Sequence, residues 1–231
     1  MLGLLSEAVR VGDLSLEDYQ VEAVIRTARS WLTHDLWVER ELLRIADVLT
    51  GAGIPFRVLK GVALANSVYA DPALRVFGDI DILVAADRFV DAATLLAESR
   101  GAIRELPELR PGFDRRFGRE ILLRSGATEI DVHRTLVDGP YGLTIPLADL
   151  LEDPIEFPLG DRVLPGLGHT DRFLHACYSV ALSLVALPGT RDRVEYLRAV
   201  VRPSREYLDA RGFRPGDRLR KAIGLRVPQR R

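Results

Sequence analysis

The sequence predicts an α+β protein, in which a small mixed β-sheet core is flanked by helices on its N-terminal and C-terminal sides. Three observations support this prediction. Apolar residues recur at three- and four-residue steps over residues 15–50, as on one face of a helix. Polar and apolar residues alternate over Asp79–Val84 and again over 120–133, as in half-buried strands. A helical pattern returns from Thr170 onward.

Local signals place the first elements. Gly51 and Gly53 end the first helix, because glycine commonly follows the last helical turn. The apolar run at 56–59 predicts a short buried strand, and a helix over 61–69 begins directly after it. Asp and Pro at 71–72 then predict a turn.

The middle of the chain continues with the alternating strand Asp79–Val84 and a helix that Asp87 caps and that runs to about Arg100. Residues 105–118 are rich in Pro, Gly and charge, which predicts a mobile loop. Residues 120–133 predict a hairpin around a Ser-Gly-Ala turn.

The last third predicts irregular structure followed by helices. Residues 137–168 are rich in Pro and Gly, and the helical pattern after them is interrupted at 188–189 and at Pro203. We therefore expect four segments: helical 1–53, a core of 54–136, an irregular connection over 137–168, and a helical region with a basic tail over 169–231.

Composition limits the class of protein. Of 231 residues, 47% are hydrophobic and 28% are charged, so we expect an ordinary globular protein. Cys177 is the one cysteine, which excludes an internal disulfide. The longest apolar stretch, 178–188, is too short to span a bilayer, and the first ten residues lack the cationic region of a signal peptide. We therefore expect a cytoplasmic protein without a membrane span.

Charge is unevenly distributed along the chain. The net charge is −1, yet residues 211–231 contain eight Lys or Arg and one Asp, so the preceding residues carry −8. A basic tail after an acidic body can bind RNA, a lipid surface or an acidic partner. The alternative is a solvated terminus without a partner.

Two aspartates mark the most informative strand. Asp79 and Asp81 are two positions apart, so on a strand they point to the same face, with Cα atoms roughly 6.5–7 Å apart. Ile80 and Ile82 point to the opposite face and anchor it in the core. Neighbouring buried carboxylates repel each other unless a cation lies between them, and Mg²⁺ prefers such hard oxygen ligands. The pair therefore predicts a magnesium site.

A second strand repeats this arrangement. Ile130 and Val132 face inward, whereas Glu129, Asp131 and His133 face the other way. A third carboxylate on an adjacent strand is what a two-metal phosphoryl-transfer site requires. The alternative is that both strands turn a solvated face to water. The apolar flanks and the repetition on a second strand favour the metal site.

The residues after the first strand form a candidate phosphate contact. Gly61 stands at a strand-to-helix junction, where glycine lets the backbone approach a phosphate. Lys60 can reach a phosphate as a point charge. The alternative is a plain tight turn with an exposed lysine.

Other conspicuous residues predict packing. His169 and His175 are six residues apart, the wrong step for one helical face, so no zinc pair is predicted. Trp31 and Trp37 are expected to pack helices rather than to stack on bases.

Together, these residues resemble the polymerase-β-like nucleotidyltransferase superfamily. Its pattern is a glycine-containing turn that opens a helix, then a hydrophobic-flanked Asp-x-Asp, then a third Asp on a later strand. The sequence is most similar to the branch with Leu-Lys-Gly in place of the usual Gly-Ser turn. The Lys-Gly start is also similar to that of nucleotidyltransferase toxins of the abortive-infection type. The matching stretches are 59–61, 75–84 and 130–133 within residues 54–136, with weaker similarity at 175–178 and 191–197.

The resemblance implies a role for each matching residue. Asp79 and Asp81 would bind both metal ions, and Asp131 would complete the site beside the acceptor hydroxyl. Val62 stands where a hydroxyl residue is usual, which leaves the lysine as the candidate to hold the γ-phosphate. The residues expected to contact the nucleotide or the acceptor are Lys60, Gly61, Arg75, Gly78 and His133.

We therefore expect a nucleotidyltransferase that uses Mg²⁺ or Mn²⁺. It would move a nucleoside monophosphate from a triphosphate, with ATP expected first, to a hydroxyl acceptor and release pyrophosphate. The acidic body favours a small molecule or a peptide as the acceptor. Two alternatives stay open. The non-standard glycine turn suggests a non-catalytic nucleotide-binding or interaction protein on this fold, and the Lys-Gly turn with the basic tail suggests a toxin-like tRNA nucleotidyltransferase.

Overall fold

The structure, a computed structural model, describes residues 2–137 and 145–186. Several features predicted from the sequence lie outside the described residues. These are the helix interruptions at 188–189 and Pro203, the weaker similarity at 191–197 and the basic tail at 211–231.

The described chain contains six α-helices and seven strands. The helices are α1 (Leu2–Val11), α2 (Asp18–Gly51), α3 (Val62–Val68), α4 (Phe89–Arg100), α5 (Phe113–Phe117) and α6 (His169–Ala186). The strands are β1 (Phe56–Val58), β2 (Asp79–Val84), β3 (Ile103–Arg104), β4 (Glu120–Ser125), β5 (Thr128–His133), β6 (Ile155–Leu159) and β7 (Arg162–Gly166).

The strands form one seven-stranded mixed sheet with the order β3-β4-β5-β2-β1-β7-β6. β2 lies in the middle, antiparallel to β1 and parallel to β5. β4 runs antiparallel to both β3 and β5, and β7 runs parallel to β1 and antiparallel to β6. The predicted α+β class with a mixed sheet is confirmed. The Asp-x-Asp strand, β2, has a neighbouring strand on each side.

The long helix and the hairpin occur where the periodicity predicts them. α2 begins with a reciprocal capping box between Glu17 and Gln20, which satisfies two backbone donors of the first turn. Gly53 adopts a positive φ of 63° directly after the helix. β4 and β5 pair in register from Glu120 to Ser125, with Gly126 at a φ of 60° in the turn. Both predictions rest on patterns of consecutive residues, which tertiary packing preserves here.

The predicted cap at Asp87 is wrong. Residues Ala86–Arg88 form a 3-10 turn, and α4 begins only at Phe89. The residue before the helix is Arg88, which makes no side-chain cap bond. The extra turn displaces the aspartate from the position at which a carboxylate accepts from the first helical N–H groups.

The predicted mobile loop at 105–118 is wrong for Phe113–Phe117, which form α5. Arg104 of β3 forms an ion pair with Asp114, with 2.5 Å between Nη2 and Oδ2. Phe113 is buried at the start of the helix. These long-range contacts order a segment whose composition alone predicts a loop.

The predicted irregular structure at 137–168 is wrong for Ile155–Gly166, which contains the β6–β7 hairpin. The prolines of this hairpin, Pro158 and Pro165, lie within paired strands near the sheet edge. Proline is tolerated there because its missing N–H need not face a partner. The sheet therefore includes residues beyond the predicted core of 54–136.

Buried apolar residues form a large cluster on one face of the sheet and a small one on the other. The large cluster joins the inward side chains of the strands to α2 and α4. The small cluster contains Leu83 of β2, and Tyr178 of α6 packs against it. Because side chains alternate along a strand, Leu83 shares its face with Asp79 and Asp81. The two aspartates therefore lie on the face of the sheet that carries the small cluster.

Candidate active site

The parallel pairing of β2 with β5 brings two of the three predicted aspartates together. Asp81 and Asp131 are direct partners in the register, and Asp79 lies opposite Glu129. Neighbouring strands are about 4.8 Å apart, so partners on the same face lie side by side. The side chain of Asp81 is 1% exposed and that of Asp79 is 37% exposed. Asp79, Asp81 and Asp131 thus form an acidic row that runs from a buried centre to the surface.

Lys60 reaches the same carboxylates from the other neighbour of β2. Its Nζ lies 3.2 Å from Oδ1 of Asp81 and 3.6 Å from Oδ2 of Asp79. The backbone N–H of Leu59 donates to the carbonyl oxygen of Asp81 at 3.0 Å, which holds this end of β1 beside β2. Gly61 has φ 51° and ψ −110°, a conformation that favours glycine and turns the chain into α3.

His133 closes the buried end of the row. Its Nε2 lies 3.0 Å from Oδ1 of Asp81, at hydrogen-bonding distance. Its other ring nitrogen, Nδ1, lies 3.7 Å from Oε2 of Glu120. Glu120 is the register partner of His133 on β4. The imidazole therefore stands between two carboxylates contributed by two different strands.

This arrangement fits a metal ion. Asp81, Asp131 and His133 offer donor atoms that all lie within 4.8 Å of one another. Oδ2 of Asp81 and Nδ1 of His133 are buried without a hydrogen-bond partner among residues 2–137 and 145–186, although buried polar atoms are nearly always satisfied. A divalent cation among these donors would use the free carboxylate oxygen. Asp79 lies farther toward solvent, where it could share such a cation or hold a second one.

The charges of the site are also unbalanced. Burial, together with repulsion from Asp81, raises the pKa of Asp131 to about 6. Burial, again with repulsion from Asp81, raises the pKa of Asp79. Burial alone would raise the pKa of Asp81 as well, but the hydrogen bond from His133 and the charge of Lys60 outweigh it and lower that pKa. One lysine does not neutralise three carboxylates, whereas a divalent cation supplies the missing charge.

The comparison with family models agrees with this geometry. Residues 12–211 match the family described as uncharacterised nucleotidyltransferase, a range that includes all the residues of the site. The chain belongs to this family. Its membership confirms the similarity inferred from the sequence and supports nucleotide transfer in general. No curated protein matches this nucleotidyltransferase.

The loop before β2 of the nucleotidyltransferase carries the two remaining predicted residues. Gly78 lies beside α2, where Nε2 of His34 is 3.4 Å from its carbonyl oxygen and the Trp31 ring lies close to its Cα.

Arg75 ends the 3-10 turn Pro72–Leu74, and its Nε is buried without a hydrogen-bond partner among the described residues. Over that part of the chain no ion pair joins Arg75 to the three aspartates. The structure thus groups Lys60 and His133 with the carboxylates and leaves Arg75 outside this set of contacts.

Sequence reasoning missed two residues near the carboxylates. Glu120 faces His133 across the hairpin, and the two-residue turn that sets this register could have identified it. His175 of α6 is buried, and this burial, with the charge of His133, lowers its pKa to about 4. No local pattern could have placed His175 here, because its position depends on how α6 docks on the sheet.

No helix among residues 2–137 and 145–186 combines the length and the hydropathy needed to cross a membrane.

Proposed function

We propose that this chain transfers a nucleoside monophosphate from a nucleoside triphosphate, with ATP as the first candidate, to a hydroxyl group. The observation that carries the proposal is the register pairing of Asp81 with Asp131, in a site where a buried Asp81 oxygen lacks a partner within the described part of the chain. The acceptor oxygen would bond to the α-phosphorus, and the bond from that phosphorus to the oxygen bridging to the β-phosphate would break. Pyrophosphate leaves, and the hydroxyl proton passes to solvent.

Asp79, Asp81 and Asp131 are the proposed metal ligands. Mg²⁺ or Mn²⁺ bound there would neutralise phosphate charge and lower the pKa of the attacking hydroxyl. The three carboxylates would hold the ions by oxygen donors that lie on two adjacent strands. Such a rigid platform is favourable because phosphoryl transfer depends mainly on positioning and on electrostatic stabilisation.

The side chains of the site differ in exposure, so the site has an open side and a buried side. Lys60 and Asp79 form its open side, with side chains 40% and 37% exposed. A polyphosphate can approach there, and its charge would draw the Lys60 ammonium away from the aspartates. Gly61 adjoins the lysine, and its positive φ of 51° turns the chain into α3 beside the open side. The acceptor is then assigned to the side of Asp131, and the net charge of −8 before residue 211 favours a small molecule or a peptide.

Labelled transfer tests the proposal. The full chain is incubated with an α-labelled triphosphate, Mg²⁺ or Mn²⁺ and candidate acceptors, and labelled product and pyrophosphate are measured. Asp79→Ala should abolish transfer and leave the circular dichroism spectrum unchanged, whereas Asp87→Ala, in the 3-10 turn before α4, should keep full transfer. Unimpaired transfer by Asp79→Ala would contradict the metal role. Absence of triphosphate binding by calorimetry would refute the proposal, and binding without turnover would support the non-catalytic alternative.

A further inference from the structure

We infer that one metal position of this site is a mixed oxygen–nitrogen site, in which Nε2 of His133 binds a divalent transition-metal ion together with carboxylate oxygens of Asp81 and Asp131. The inference deepens the proposed function, on which it rests, by assigning the kind of ion and a nitrogen ligand. The three acidic residues predicted from the sequence would provide oxygen donors alone.

The positions of the donor atoms support this assignment. The donors of Asp81, Asp131 and His133 lie within 4.8 Å of one another. Two ligands of one ion can be at most about 4.4 Å apart, so small side-chain rotations suffice to enclose it. Nε2 of His133 already points at the Asp81 carboxylate. Oδ2 of Asp81 is buried and has no hydrogen-bond partner among the residues that the structure describes, so it retains a lone pair for an ion.

The surroundings of His133 offer its second ring nitrogen a carboxylate when an ion takes the place of the Nε2 hydrogen bond to Asp81. Nδ1 is buried, lies 3.7 Å from Oε2 of Glu120 and has no hydrogen-bond partner in the described ranges 2–137 and 145–186. Arg119 forms an ion pair with that same carboxylate and holds it in place. A slight ring rotation lets Nδ1–H donate to Glu120, which leaves the Nε2 lone pair for the ion. Metal-binding histidines commonly donate their second ring nitrogen to a carboxylate in this way.

The type of donor sets the type of ion. Mg²⁺ prefers oxygen ligands and retains its water, whereas imidazole suits transition-metal ions. The His133 side chain is 4% exposed and that of Asp81 is 1% exposed, so ligand exchange with water is restricted at this end of the row. The buried position therefore favours an ion that accepts nitrogen. The open position at Asp79 keeps oxygen donors for the ion that accompanies the triphosphate.

Pulsed electron paramagnetic resonance of the full chain with Mn²⁺ alone tests the inference. Directly bound imidazole should produce ¹⁴N modulation of the Mn²⁺ echo, and incorporation of ¹⁵N-histidine should convert it to the ¹⁵N pattern in the wild-type chain. His133→Gln should remove the modulation and weaken Mn²⁺ binding about 10-fold or more. His175→Gln, a change at another buried histidine near the site, should retain the modulation. Glu120→Gln should weaken Mn²⁺ binding by about 10–100-fold.

Competition between ions provides a second measurement. His133→Asp restores an all-oxygen set, so the preference for Mn²⁺ over Mg²⁺ should fall about 10-fold relative to the wild type. Absence of nitrogen modulation in the wild type, absence of Mn²⁺ binding, or modulation that is lost only in His175→Gln would overturn the inference. Nitrogen modulation in a chain that transfers no nucleotide would refute the proposed function alone, and transfer without modulation would refute this inference alone.

Discussion

Asp79 and Asp81 stand two positions apart on one strand, yet their surroundings differ. Asp81 is enclosed by β5 and contacts both His133 and Lys60, whereas Asp79 lies at the surface end of β2. Their common face follows from strand periodicity. Their different burial follows from what packs above each one, which is a property of the folded chain.

At the same scale, Gly61→Ala should lower the free energy of unfolding by about 1–2 kcal/mol, because φ is positive there and a Cβ penalises that conformation. The added Cβ would also lie 3.4 Å from the Cβ of Phe77. Gly51→Ala, at the end of α2 with open space around its Cα, is the matched control and should be neutral or slightly stabilising. Urea denaturation measures both, and equal effects would show that the turn tolerates a side chain.

Asp35 predicts a pH dependence of stability. Its side chain is 5% exposed, its Oδ1 accepts from the Phe77 N–H at 3.1 Å, and burial raises its pKa to about 6. A raised carboxyl pKa means that the folded state binds the proton more tightly, so stability is lost as pH rises from about 4 to above 6. Asp35→Asn should therefore be more stable than the wild type by about 1–2 kcal/mol at pH 8 and equal to it at pH 4. A difference that does not vary with pH in urea denaturation would contradict this assignment.

At the scale of elements, the β6–β7 hairpin completes the sheet on the β1 side. β7 pairs with β1 at Val58 and Gly166, and the N–H of Leu167 donates to the Val58 carbonyl oxygen. Phe157 of β6 is 1% exposed and belongs to the large core cluster. The hairpin is therefore an integral part of the sheet that holds β1 and, through it, Lys60.

Phe157→Ala should destabilise the protein by about 3–5 kcal/mol, since it removes a buried aromatic ring from the core. Val163→Ala, on the exposed side of the same hairpin, should change stability by less than about 0.5 kcal/mol. Chemical denaturation followed by circular dichroism should show one cooperative transition shifted in Phe157→Ala. A separate early transition would mean that the hairpin unfolds independently of the sheet.

At the scale of the whole molecule, the acidic row lowers the stability of the ion-free protein and provides the ligands for an ion. Burial and repulsion disfavour the charged form of Asp131 in the absence of a cation. Asp131→Asn should therefore raise the melting temperature by a few degrees at pH 8 in the presence of a chelator.

The response to metal completes this prediction. An ion that binds the folded state stabilises it by about 2.7 kcal/mol at 100 times its dissociation constant. The wild type should thus gain stability with Mn²⁺ or Mg²⁺ in a thermal-shift measurement, and Asp131→Asn should gain much less. An equal gain in both proteins would exclude Asp131 as a ligand.

Most of the secondary structure could be predicted because it depends on neighbouring residues. The periodicity of α2, the alternation of β2 and the turn of the β4–β5 hairpin all lie within short stretches. The elements that could not be predicted depend on distant partners. Arg104 and Asp114 order the region of α5, and pairing with β1 places β7, whose proline content suggests a loop.

The same division applies to the site. Strand periodicity alone indicates that Asp79 and Asp81 share one face of their strand and that Asp131 and His133 share one face of theirs, because the backbone period sets side-chain direction. The glycine at the junction between the first strand and the next helix can also be identified from neighbouring residues. The pairing of Asp81 with Asp131, and the position of the His133 imidazole between Asp81 and Glu120, depend on the assembled sheet. These contacts join residues on different strands, and their register arises only when the whole sheet is assembled.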